Sequence, residues 1–103
     1  MTDPQFRLVA RVSTDSPERI RPILGDVFPG GNIREEGPEF VVEATVKGPS
    51  AKDLNRAALS ALRKVEKRTR LRAQWTADDG QFYRFFDYVL KSTGRVEGTP
   101  PRS

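Results

Sequence analysis

Residues 6–31, FRLVARVSTDSPERIRPILGDVFPGG, decide the architecture. Phe6, Leu8, Ala10 and Val12 alternate with Arg7, Val9, Arg11 and Ser13, the period of two that marks a half-buried strand. Ser16 then stands where a helix needs a cap. Pro17 follows at the first helical position, where its missing N–H leaves nothing unpaired. Ile20, Ile23, Leu24, Val27 and Phe28 recur as one apolar helical stripe. Pro22 removes a hydrogen bond to the Glu18 carbonyl and predicts a kink or an irregular first turn. Pro29-Gly30-Gly31 stops the helix.

The same grammar continues outward. Asn32 to Glu36 reads as a short edge strand, Gly37-Pro38 as a turn, and Phe40 to Lys47 as a second alternating strand. Ser50 opens a second helix, with Asp53 three residues on as a variant capping box. Leu54, Ala57, Ala58, Ala61, Leu62 and Val65 form its apolar stripe. Two strands follow, Leu71–Ala77 and Gln81–Leu90, and Asp79-Gly80 between them signals a two-residue hairpin turn. That register places Leu71, Ala73, Trp75, Phe82, Phe86 and Tyr88 on the core face. Arg72, Gln74, Thr76, Tyr83, Phe85 and Asp87 fall on the other. Ser92–Ser103 lacks hydrophobic periodicity and reads as a disordered polar tail, which leaves 1–91 as a single domain.

The expected order is β-α-β-β-α-β-β, an α+β ferredoxin-like split β-α-β sandwich. It has an antiparallel sheet of order 4-1-3-2, two helices on one face and a C-terminal hairpin strand. From Val12 to Arg34, where Asp15-Ser16-Pro17-Glu18 opens a helix that ends at Val27-Phe28-Pro29, the chain resembles small archaeal proteins with a ribosomal-protein-like fold. The resemblance is confined to that stretch, rests on helix capping, and carries no functional residue across.

Composition narrows the function classes. The chain has 103 residues, one domain's worth, with no cysteine and no histidine. Disulfides and thiolate metal sites are thereby excluded, as are the usual neutral-pH acid/base and the commonest metal ligand. Glu35-Glu36, Glu39 and Asp78-Asp79 fit turn chemistry, no glycine-rich loop precedes a helix, and no serine has a base beside it. The expectation is a non-enzyme without cofactor or metal. The N-terminus, Met1-Thr2-Asp3-Pro4-Gln5, has no secretory pattern, and no apolar run reaches membrane-spanning length. The default reading is a cytoplasmic protein with no membrane role.

Charge gives the one functional lead. The chain carries 18 Lys and Arg against 14 Asp and Glu, and the excess of cations lies wholly in residues 48–103, residues 1–47 being net acidic. With both helices on one side, the opposite sheet face would be uncovered. It would show Arg7, Val9, Arg11, Val41, Arg72, Tyr83 and Phe85, with Lys64, Lys67, Arg68 and Arg70 as a basic rim. Two partners suit such a face. An apolar, mixed-charge plane fits a homo-oligomer or another protein. Aromatic rings among arginines fit RNA or another single-stranded nucleic acid, by stacking and phosphate contact. The first is the leading expectation and the second the alternative.

Overall fold

The computed structural model describes residues 3–95. Its elements are β1 (Gln5–Ser13), α1 (Pro17–Val27), β2 (Asn32–Glu36), β3 (Glu39–Lys47), α2 (Ala51–Val65), β4 (Arg70–Ala77), β5 (Gln81–Phe86) and β6 (Val89–Arg95). The chain is α+β, with one six-stranded sheet of order β2-β3-β1-β4-β5-β6. Every neighbouring pair in it is antiparallel.

Local chemistry explains most boundaries. The Ser50 hydroxyl accepts the Asp53 backbone N–H at 3.1 Å, capping α2 as its sequence predicts. Ser16 occupies the N-cap of α1 without a side-chain cap, and α1 continues through Pro22, which is solvent-exposed. β1 alternates strictly: Phe6, Leu8, Ala10 and Val12 are buried, while Arg7, Val9 and Arg11 are exposed. The buried set joins Ile20 and Leu24 of α1, Ala58, Leu59 and Leu62 of α2, and Leu71, Ala73 and Trp75 of β4 in one core. The core therefore lies between one sheet face and both helices, and no helix among the described residues covers the other face.

The structure corrects the sequence reading in three ways. It has eight elements rather than seven. Gln81–Leu90 is not one strand, because the chain turns at Asp87-Tyr88 and returns as β6. Ser92–Arg95, expected in the polar tail, belong to that sixth strand; the rest of the expected tail, 96–103, lies outside the described residues.

The third correction is the β4–β5 register. Three residues, Asp78, Asp79 and Gly80, join the strands, and Trp75 pairs with Tyr83 instead of Arg84. The Gly80 amide bonds back to the Ala77 carbonyl at 2.9 Å, and Gly80 takes φ +91°. A tight turn closed by a left-handed glycine is the usual three-residue hairpin solution. Because side chains alternate with a period of two, this one-residue slip sends every β5 side chain to the opposite face.

Candidate binding faces of the sheet

The register decides where each expected site residue stands. Tyr83 and Phe85 pair with Trp75 and Ala73 and so share the helix-side face. Phe85 is buried in the core and Tyr83 packs against it. Neither belongs to the uncovered face, and the expectation that both do is overturned. Phe82 and Phe86 stand there instead, opposite Thr76 and Arg72.

Val41 is also corrected. It keeps its place on the uncovered face, in register with Arg11 on one side and Arg34 on the other, yet it is buried. Arg11 reaches across β3 to Glu36 of β2 at 3.6 Å, and Arg34 meets the same carboxylate at 3.2 Å. Arg11 also pairs with Glu39 at 3.2 Å. These ion pairs roof Val41 and neutralise the β2–β3 side of the sheet. The Ser13 hydroxyl donates to Glu39 at 2.8 Å, which with Arg11 holds that carboxyl below the ordinary glutamate value. The acidic residues at this end thus pair with arginines, and among the described residues no group of three acidic side chains converges as metal ligands would.

The β4–β6 side is different. Arg72 and Arg70 both set their guanidinium groups over the Phe86 ring, 5.2 Å and 5.9 Å from its centroid. Arg84 stands 5.1 Å over Phe82 and donates to the Gln74 side chain at 2.8 Å. Among the described residues, Arg7, Arg70, Arg72, Arg84 and Lys91 form no salt bridge. Val9, Arg11, Arg72, Arg84, Phe86 and Lys91 line a shallow depression of about 400 Å³. Val9 is 46% exposed within it.

The expected basic rim divides. Arg70 joins the sheet face over Phe86. Arg68 turns to Asp15 at 3.7 Å while its backbone N–H bonds the Glu66 carboxylate, which lies below the ordinary glutamate value for that reason first. Lys64 and Lys67 are exposed beside the end of α2.

No family model matches this chain, and no similar curated protein or solved structure was found.

Sequence reasoning missed Asp87, which it placed on the uncovered face. The residue sits in the β5–β6 turn at φ +55°. Its carboxylate accepts the Leu71 amide at 2.9 Å and meets Arg63 at 3.4 Å, while its carbonyl accepts Asn55 Nδ2 at 2.7 Å. Asn55, buried on α2, was missed as well. An aspartate in a sequence turn between Phe86 and Val89 was the available signal, since Asp tolerates positive φ better than most residues. Asp87 is thus tied to α2 and β4, and its charge does not oppose the cations of the open face. No helix among the described residues is long and apolar enough to cross a membrane.

Proposed function

We propose that this chain is a non-catalytic binding module that receives single-stranded nucleic acid across the β4–β6 half of its uncovered sheet face. The order β4-β1-β3-β2 within the sheet, with both helices on one side, supports reading the first six elements as a ferredoxin-like split β-α-β unit. β5 and β6 widen that unit. The observation that carries the functional reading is the set of cations interleaved with Phe82 and Phe86 that form no salt bridge among the described residues. Phosphates are held by such cations, and bases stack on phenyl rings or on guanidinium planes. Arg72 and Arg84 are the phosphate and base contacts in this reading, with Arg70, Lys91 and, on the neighbouring β1, Arg7 at the margin.

Binding of polyuridine measured across a salt series tests it. Affinity should fall steeply with salt, because each neutralised phosphate releases counterions. Absence of binding at low salt would sink the proposal.

The exposure of Val9 (46%) and Val89 (56%) favours a second reading, self-association or a protein partner through the same face. Sedimentation at several concentrations separates the two. If Val9→Asp dissociates an oligomer while polyuridine binding persists, the face serves protein and the nucleic acid binds elsewhere.

A further inference from the structure

The sheet is wider than its helical layer. Two packed helices set about 8–10 Å apart cover roughly four strands spaced at about 4.8 Å. α1 and α2 supply that cover, and the sheet has six strands. The helix-side surface of β5 and β6 therefore extends past the cover that two helices provide. There Tyr83, Phe85, Tyr88 and Leu90, with Ser50 and Ala51, line a space of about 410 Å³. A second space of about 400 Å³ continues along α2 between Lys52, Arg56, Ser60 and Tyr88. The two share Lys52 and Tyr88 and so adjoin along α2. Leu90 is 49% exposed and Tyr88 45%.

The walls differ in chemistry. Tyr88 is fixed by its hydroxyl against Ser60 at 3.2 Å and by Arg63 5.4 Å over its ring. Lys52, Arg56, Ser60 and Arg63 recur at helical spacing, so α2 presents three cations and one hydroxyl beside an apolar floor. Arg63 is engaged by Asp87, but Lys52 and Arg56 form no salt bridge among the described residues.

We propose that these adjoining spaces dock an acidic, amphipathic helical segment of a partner protein, packed beside α2 as a third helix. Leucine-like side chains would fill the space over Tyr83 and Leu90, and carboxylates would meet Lys52 and Arg56. Among the described residues a second copy of this chain offers no such segment, since α1 and α2 bury Ile20, Leu24, Ala58, Leu59 and Leu62 in their own core.

The test uses the full ¹⁵N-labelled chain and three synthetic peptides. One has leucines at i, i+3, i+4 and i+7 spacing with glutamates between them, one has the same composition scrambled, and one has lysine in place of each glutamate. The ordered acidic peptide should move the amide signals of Lys52, Arg56, Tyr83 and Leu90. Leu90→Asp, and separately Lys52→Glu with Arg56→Glu, should each weaken it about tenfold or more. Leu90 is half exposed, so its replacement leaves the core intact, which an unchanged Tm would confirm. Equal binding of the scrambled or basic peptide, or shifts confined to the outer edge of β6, overturns the proposal. Leu90→Asp should leave polyuridine binding unchanged, so failure here does not decide the reading of the opposite face.

Discussion

Trp75 donates its indole N–H to Oδ1 of Asn55 at 3.2 Å, and both side chains are almost fully buried. The other end of the Asn55 amide donates to the Asp87 carbonyl at 2.7 Å. One polar side chain on α2 thus satisfies a buried group on β4 and fixes the turn that sends β6 back along β5. Asn55→Ala strands both partners, and each unpaired buried group costs about 1–3 kcal/mol. A loss of about 2–4 kcal/mol is expected, read from urea denaturation followed by fluorescence of the single tryptophan.

Asp87 unites two requirements that few residues meet together. Its φ of +55° disfavours branched side chains, and its carboxylate accepts the Leu71 amide. Asp87→Asn keeps the acceptor and gives up only a partly exposed ion pair with Arg63, at a cost under about 1 kcal/mol. Asp87→Val fails on both counts and should cost more than about 2 kcal/mol. Thermal melts of the two variants distinguish the roles, and equal losses would refute the distinction.

Glu39 makes stability depend on acid. The Ser13 hydroxyl, and after it Arg11, hold its native carboxyl below the unfolded value. The stabilisation is complete above the unfolded value and is lost as pH falls through the lowered native one. Ser13→Ala should raise the native titration toward that of an ordinary glutamate and flatten the acid limb of the stability profile. A ¹³C titration of the Glu39 carboxyl checks the shift directly.

For the uncovered face, Arg72→Gln and Arg84→Gln should each reduce the slope of log affinity against log salt by about 1. Phe86→Ala should weaken polyuridine about tenfold with little change of slope, since stacking contributes about 1–3 kcal/mol per base. Tyr83→Ala should leave the affinity unaffected, because its ring lies on the other side of the sheet. An effect of Tyr83→Ala as large as that of Phe86→Ala would count against the assignment of faces.

The residues that made the fold legible were those whose periodicity is set by short-range chemistry. The alternation from Phe6 to Ser13, the Ser50 cap and the burial of Ala58 and Leu62 all reflect local rules, whereas α2 also buries Leu59 and Asn55, outside the expected stripe, and leaves Ala57 exposed. The face assignments of β5 were not legible, because Asp78-Asp79-Gly80 is compatible with a two- or a three-residue turn and a single residue decides between opposite faces. The β5–β6 turn escaped notice for a related reason. Phe82-Tyr83-Arg84-Phe85-Phe86 has no clean alternation, and Asp87-Tyr88 lacks the glycine that advertises a tight turn. Of the expected surface, Arg7, Val9, Arg11 and Arg72 stand where alternation put them. Val41 does too, but its burial depends on arginine–glutamate pairs that cross from strand to strand, which no one-strand pattern encodes.

The β5–β6 ladder shifts between Arg84 and Phe85, where Ser92 and Leu90 are the successive partners and Lys91 is left over. The two ends of β6 are consequently out of phase. Leu90 opposes Phe85 beside α2, whereas Ser92 opposes Arg84 on the reverse side. Shortening the chain by that one residue would restore a uniform zigzag at the expense of a fixed relation between its two ends and the sheet. Which surface is oily and which is charged at this margin is thus a matter of counting residues as much as of choosing them.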